Sequence, residues 1–418
     1  MNVLRPISAA VIALTASLSA NAAVTKADVL ENYTHIAHAV FEDSLLTAQA
    51  LQVKIDALVK NPSEKTLNDA KIAWKQARVP YQQSEVYRFG NANVDDWEGQ
   101  LNAWPLDEGM IDYTSKDYEY EMGNVGAQAN IIANVSLNIG GETIDMKNIT
   151  PELLASLNEL GGSEANVASG YHAIEFLLWG QDLHGVNAGS GERPYTDYAQ
   201  GKDCTNGNCE RRGAYLQAAG QLLITDLQDM TTQWAAGSKD NYAAELIAGD
   251  KNEGITKMFF GMGSLALGEL AGERMKVALE ANSPEDEHDC FSDNTHYSHY
   301  YDAKGIKNIY LGEYQRVDGT VVKGASLAEL VKAKDAGLND KLVAALNSSE
   351  SALQTMVDSA ESKDGLKFDQ MIAEGNSKGQ KIITDAIAAL VVETGLIEQA
   401  AKAVGVSNLN PDTADHQF

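Results

Sequence analysis

A histidine and a glutamate stand three residues apart in the otherwise apolar segment SGYHAIEFLLWG, residues 169–180. Because three residues make close to one turn of an α-helix, His172 and Glu175 are expected to project side by side from one helix face. An imidazole and a carboxylate in this arrangement could supply half of a metal site. The same spacing is also common where a core histidine is satisfied by hydrogen bonds, and the local pattern alone favours that structural role.

Two further carboxylates could complete the coordination shell of such a site. Glu85 lies late in a predicted helix, and Asp107 follows a Trp-Pro pair in the next polar segment. Both belong to the part of the chain that should pack against the helix of His172, and a transition metal needs about four to six donors. One histidine with three carboxylates would suit iron, manganese or zinc better than copper(I). Each carboxylate also has a structural alternative: Glu85 could pair with Arg88, and Asp107 could cap a helix.

A third polar stretch, residues 283–302, combines many acidic residues with His288, His296 and His299. Its density of possible ligands is higher than a solvated loop requires, but no ligand geometry follows from the spacing. We expect its histidines to contribute little to the site of His172, although an interface between domains could bring them close.

The overall charge of the chain excludes some classes of partner. The 418 residues include 59 acidic and 32 basic side chains, which gives a formal net charge of −27. Nucleic acids and anionic lipids are repelled by such a surface, so no nucleic-acid partner is expected. The length is sufficient for two domains, each with its own core.

The N-terminus is typical of a secretory signal peptide. Arg5 precedes an apolar run, residues 7–18, which is too short to span a bilayer, and an A-x-A cleavage site ends at Ala22. Removal of residues 1–22 is therefore expected. No later run is long and apolar enough to form a transmembrane segment, so the mature protein is predicted to be soluble and periplasmic, with peripheral outer-membrane association as the alternative.

The three cysteines bear on the redox state of the exported protein. Cys204 and Cys209 flank an Asn-Gly turn, and in an oxidising compartment they are the natural disulfide pair. Cys290 would then be free, although it could also be the true partner of one of the others. The spacing does not favour a cysteine-based metal site.

Helical periodicity dominates the rest of the chain. Helices are predicted over about residues 26–60 and 62–90, with Ser63 as a cap and a kink at Pro80. The second half repeats this plan, and GGETIDM, residues 140–146, is the best candidate for a short hairpin edge. The pattern predicts an all-α fold of two helical-bundle domains with loop-rich insertions. The first domain, residues 24–195, would carry the H-x-x-E motif, and residues 203–418 would form the second, possibly by internal duplication.

Several blocks of the sequence resemble the imelysin family, which includes iron-regulated protein A-like proteins and lipoproteins of iron uptake systems. GYHAIE fits the family's G-x-H-x-x-E signature. Four other blocks occur along the chain in the order that imelysins have: PYQQSEVYRFG, LNAWPLDEGMIDY, GELAGERM and EDEHDCFSDNTH. The resemblance implies an all-helical protein with a site between or beside two bundles. It marks Gly170, His172 and Glu175 as the signature and matches Glu85 and Asp107 to acidic positions of the family.

The resemblance also leaves more than one function open. The uptake lipoproteins carry a carboxylate where this chain has Gln82, so the preferred ion need not be the same. The leading hypothesis is a periplasmic protein of iron acquisition that binds iron or another divalent metal, zinc among them, through His172, Glu175, Glu85 and Asp107. Its partners would be a metal ion or metal-containing ligand and possibly a membrane iron-uptake component.

The first alternative is a zinc metallopeptidase of the imelysin type. A hydrolase needs an open metal position, a bound water and a free carboxylate base, which would have to be Glu108 or Glu85 if Glu175 is a ligand. The second alternative is a non-catalytic helical binding module in which the H-x-x-E pair is structural.

Overall fold

The computed structural model describes residues 23–120, 122–139, 141–407 and 409–411. The predicted signal peptide, residues 1–22, lies outside the described residues. The helices and strands follow one another in the order α1 (Lys26–Lys60), α2 (Glu64–Ser84), α3 (Ala92–Leu101), α4 (Glu108–Ile111), β1 (Ser136–Ile139), β2 (Glu142–Asp145), α5 (Pro151–Ala155), α6 (Gly170–Trp179), α7 (Cys209–Trp234), α8 (Tyr242–Ala248), α9 (Lys251–Ser264), α10 (Ala278–Ala281), α11 (Thr295–Leu311), β3 (Glu313–Gln315), β4 (Val321–Lys323), α12 (Leu327–Lys334), α13 (Ala336–Glu361), α14 (Phe368–Ile372) and α15 (Ser377–Ala403).

The fold is all-α, as predicted, and its first helices begin where capping residues occur in the sequence. Thr25 caps α1 and exchanges hydrogen bonds with Asp28, and Ser63 caps α2 in the same way with Thr66. α2 ends at Ser84, earlier than predicted, and a 3₁₀ turn over Glu85–Tyr87 continues the chain. This shorter turn sets the direction of Glu85.

Two small antiparallel hairpins accompany the helices. β1 pairs with β2, so the strand predicted in residues 140–146 is confirmed, and β3 pairs with β4. The predicted disulfide between Cys204 and Cys209 is present, and Cys290 is a free, half-buried cysteine. Over the described ranges, no helix combines the length and apolar character needed to cross a membrane.

The hydrophobic core forms two clusters that share one long helix. The first half of α1, with Leu30 and Phe41, packs in the larger cluster with α9, α11, α13 and α15. The second half of α1, with Leu51 and Leu58, packs in the smaller cluster with α2, α6 and much of α7. Neither cluster is confined to one side of the predicted boundary near residues 195–203, because α1 contributes to the larger cluster and α7 contributes to the smaller one. The division into residues 24–195 and 203–418 stays a prediction.

α9 continues without a break through a π-helical stretch, Leu265–Val277, into α10. Runs of π-helix are rare and frequently occur at functional sites, because the wider turn changes which side chains share a face. Here the stretch carries Arg274, which is 1% exposed. A buried guanidinium needs anionic partners, and it finds them on the 3₁₀ turn after α2 and on α11.

Candidate metal centre

α6 holds His172 and Glu175 in the interior of the smaller cluster. Its first residue, Gly170, has φ +81°, and a Cβ added there would lie 2.3 Å from the carbonyl oxygen of Leu101. Only glycine tolerates both the left-handed conformation and this contact. The start of α6 is therefore fixed against the end of α3, which buries His172 to 2% exposure and Glu175 completely.

His172 and Glu175 bond to each other. The Nδ1 atom of His172 lies 3.0 Å from Oε2 of Glu175, whose Oε1 accepts the backbone amide of Ser292 at 2.9 Å. The second ring nitrogen of His172, Nε2, is buried and has no hydrogen-bond partner among the described residues. With Glu175 ionised, Nδ1–H donates to the carboxylate and the Nε2 lone pair is left for a ligand.

Burial controls the protonation of this pair. It lowers the pKa of His172 to about 3, and the positive charge of Arg78 contributes to the lowering. His172 is therefore neutral at physiological pH, as a metal ligand must be. Burial also raises the pKa of Glu175 well above its usual range, and the nearby charge of Asp289 acts in the same direction.

The stretch 283–302 places a second histidine, His288, beside His172, and whether it contributes to a metal site stays a prediction. The ring of His288 lies 4.8 Å from that of His172, measured between centroids, at an interplanar angle of 79°. Possible ligand atoms of His172, His288 and Asp289 all lie within 4.8 Å of one another. The segment is held there because Trp104 donates to the Glu287 carbonyl at 3.0 Å and because Glu175 binds the Ser292 amide.

Asp289 lies beside Nδ1 of His288, as Glu175 lies beside Nδ1 of His172. Its Oδ1 atom lies 3.1 Å from Nδ1 of His288 and accepts a hydrogen bond from Arg78 at 2.9 Å. Its Oδ2 atom accepts from Asn294 and Ser298. Burial opposes ionisation of Asp289, but the guanidinium of Arg78 and the hydrogen bond with His288 together outweigh it and hold the pKa of Asp289 well below its usual range. Since its lone pairs are engaged, Asp289 is better suited to orienting His288 than to binding a metal itself.

A cavity of about 450 Å³ opens onto both histidines. Its walls contain five carboxylates and, among the described residues that line it, no lysine or arginine; the acidic residues are Asp107, Glu108, Glu119, Glu164 and Glu285. Such a lining favours a cation. Burial raises the pKa of Glu108 to about 7, with a further contribution from the charge of Glu285.

The other two predicted ligands lie in different surroundings. Asp107 lines the same cavity as His172 and accepts hydrogen bonds from Tyr118, at 3.1 Å, and from Asn124. Glu85 is instead bound to Arg274, at 2.6 Å, a guanidinium that also binds Asp302. The structure thus brings Asp107 and His172 to one cavity and places Glu85 in the ion-pair network of Arg274. Whether these residues bind a metal stays a prediction.

A third histidine lies next to the pair. His299 is fully buried, neither of its ring nitrogens has a hydrogen-bond partner in the described structure, and its ring is 6.5 Å from that of His288. Burial, together with the charge of Arg274, lowers the pKa of His299 to about 3. His296 points elsewhere and lies 2.9 Å from the carboxylate of Glu361. The abundance of histidine and acid in residues 283–302 was the available sequence signal for this second half of the site.

The Imelysin family model matches residues 37–397 of the chain. This span includes the His172–Glu175 pair and the His288–Asp289 pair. The chain belongs to the imelysin family. Its resemblance to imelysins is thereby confirmed.

Two solved structures share the imelysin fold of this chain. One is a putative iron-regulated protein A precursor from Parabacteroides distasonis, 18% identical, with a TM-score of 0.64 over 92% of this chain and 97% of that one. The other is an imelysin-like protein from Psychrobacter arcticum, 15% identical, with a TM-score of 0.57 over 92% of this chain and 98% of that one. At these identities the likeness concerns the fold alone. No significant match was found among curated proteins.

Proposed function

We propose that this imelysin-family protein binds a divalent transition metal, iron in preference and zinc as the alternative, at the floor of the acidic cavity. The observation that carries the proposal is the buried Nε2 atom of His172, which has no hydrogen-bond partner among the described residues and lies beside His288. A buried nitrogen without a partner costs on the order of 1–3 kcal/mol. A metal ion removes that cost and favours the ionised form of Glu175.

The donor set suits such a metal. His172 and His288 would bind through Nε2, while Glu175 and Asp289 hold their Nδ1 atoms, the arrangement in which a carboxylate orients a ligating imidazole. Asp107, another cavity carboxylate or water would complete the shell. Imidazole with carboxylate and water suits iron and zinc. Glu85 would join only if it left Arg274, so it is the least accessible of the predicted ligands.

We further propose that the metal is cargo of iron acquisition in the periplasm. The support is the predicted signal peptide and a structural relative described as a putative iron-regulated protein A precursor. In that role the acidic cavity would take iron, free or in a small complex, and a membrane uptake component would receive it.

The test is metal binding by calorimetry and elemental analysis on protein purified without chelator or affinity tag. His172→Ala and His288→Ala should each weaken binding of Fe²⁺ or Zn²⁺ by at least about a hundredfold, because each removes a donor. Glu175→Gln should weaken it by roughly 10–100-fold, since it disturbs only the orientation of His172.

His35→Ala is the matched control, because His35 is exposed on α1 and away from the cavity lining. Its affinity should equal that of the parent. Parent-like metal binding by His172→Ala would overturn the proposal and leave the His172–Glu175 pair as a structural feature of the core.

A metal-dependent hydrolase of the peptidase type is the second candidate, and Glu108 favours it. A carboxyl group in the cavity with a pKa of about 7 is matched to general-base work near neutral pH. If the protein hydrolyses peptides with metal bound, Glu108→Gln should lower kcat at least about a hundredfold while metal binding is kept. Asp117→Asn, at an exposed position outside the cavity lining, should change kcat little. Absence of any metal-dependent peptide hydrolysis by the parent would exclude this candidate.

A further inference from the structure

Three aspartates from distant parts of the chain form a cluster that is separate from His172 and His288. Asp182 follows α6, Asp293 belongs to the segment before α11, and Asp369 lies in the first turn of α14. Their carboxylate oxygens lie within 4.8 Å of one another. Asp293 and Asp369 are 6% and 0% exposed, while the side chain of Asp182 keeps 10% exposure and opens the cluster to solvent.

The buried members of this aspartate cluster lack the partners that buried carboxylates usually have. Neither carboxylate oxygen of Asp369 accepts a hydrogen bond of good geometry from the described residues, although the amide of Gln370 is close enough to favour its ionised form. Oδ1 of Asp293 and Oε1 of the neighbouring Glu287, which is 2% exposed, are also without partners. Buried polar atoms are rarely left in this state, so several together point to a ligand.

The positive charges nearby are engaged elsewhere. Lys75 donates to the carbonyl of Ser292, and Lys367 pairs with Glu361. Among the described residues, no lysine or arginine forms an ion pair with any of the three aspartates, and Asp182 pairs with His184. Burial raises the pKa of Asp369 to about 7, and the neighbouring charge of Asp293 contributes. The cluster must therefore hold protons or a cation.

We propose that Asp182, Asp293 and Asp369 form a second cation site, separate from the histidine centre, that takes calcium. All of its donors are oxygens, with Glu287 as a possible fourth carboxylate, and calcium takes roughly six to eight oxygen ligands in flexible geometry. Transition metals such as zinc prefer nitrogen or sulfur donors. Calcium would link three parts of the chain that are far apart in sequence. They are the end of α6, the segment that carries His288, and the start of α14.

The experiment is thermal unfolding of the full mature chain with CaCl₂ or with EDTA. Calcium should raise the melting temperature of the parent, with a much smaller effect of equimolar Mg²⁺. Asp369→Asn should remove the calcium-dependent rise. In EDTA the same variant should melt no lower than the parent, because it loses one of several crowded negative charges. A residue with a merely structural role would instead lower the melting temperature equally in both media.

Two further variants keep the result unambiguous. Asp293 has φ +53°, a conformation that asparagine adopts readily, so Asp293→Asn should fold and should also lose the calcium effect. Asp240→Asn, at an exposed position, should keep it. A parent without a calcium-dependent rise, or a full rise in both Asp369→Asn and Asp293→Asn, would overturn the inference.

Failure of this inference is distinguishable from failure of the proposed function. His172→Ala should lose transition-metal binding but keep the calcium-dependent rise, and Asp369→Asn should do the reverse. If His172→Ala abolished the calcium effect and Asp369→Asn retained it, calcium would bind at the histidine centre and the second site would not exist.

Discussion

Glu393, on α15, is a carboxylate buried in the larger apolar cluster at 1% exposure. Burial raises its pKa from 4.5 to about 7. A carboxyl group whose pKa is higher in the folded state favours folding while it is protonated. Its contribution is fully present below pH 4.5 and is lost as the pH rises through 7, because the folded protein must then ionise a buried group.

Glu393→Gln should therefore be more stable than the parent at pH 8, by on the order of 1–3 kcal/mol, and nearly equal to it at pH 4.5. Denaturant unfolding at a series of pH values measures the difference. Glu398→Gln, an exposed position on the same helix, should show no such trend. A Glu393→Gln advantage that stayed constant with pH would contradict the assignment.

At the same scale, local spacing was sufficient to pair His172 with Glu175, because a helix dictates which residues lie three apart. It was not sufficient for His288, which reaches His172 across more than a hundred residues of chain. The pairing of Glu85 with Arg274 is equally non-local. Sequence alone could show that acids and histidines were abundant, but not which of them the packing of the helices would bring together.

Among the elements, α6 depends on one glycine. Gly170→Ala would place a methyl group 2.3 Å from a backbone oxygen and in a left-handed conformation. We expect a loss of stability on the order of 2–4 kcal/mol, with weaker metal binding as α6 shifts. Calorimetric unfolding of the variant beside the parent is the measurement.

Gly99→Ala is the control for this substitution. Gly99 lies in the exposed part of α3, and nothing lies within 4 Å of an added Cβ. Because alanine favours helix more than glycine by about 1 kcal/mol, this variant should be slightly more stable than the parent. If Gly170→Ala were equally harmless, the contact between α6 and α3 would not be what fixes the site.

The elements themselves were largely predictable. α1 runs from Lys26 to Lys60, as its apolar period indicates, and the Cys204–Cys209 disulfide follows from a short turn. Helix ends were harder to predict from the sequence. α2 ends in a 3₁₀ turn because Glu85 and Tyr87 make tertiary contacts there. The π-helical stretch around Arg274 has no simple sequence pattern.

For the whole molecule, the all-α fold and the imelysin resemblance were both accessible from the sequence. The sharing of α1 between two apolar clusters was not, since a uniform amphipathic period does not tell which neighbour covers each half. The apparent repetition of the two halves suggested separable bundles. In the structure α1 and α7 each contribute to both clusters, and the division into two domains stays a prediction.

The shared helix also bears on how fast a bound ion can leave. α1 has 35 residues and, at 1.5 Å per residue, extends for about 50 Å as one rigid rod through both clusters. The halves cannot swing apart without bending it, so release by slow separation of two lobes is disfavoured. An ion bound at the proposed site would instead leave past the short segments that line the cavity, around Trp104 and Glu119. Loop motions take roughly nanoseconds to microseconds, so bond breaking at the metal, rather than protein motion, should limit the residence time.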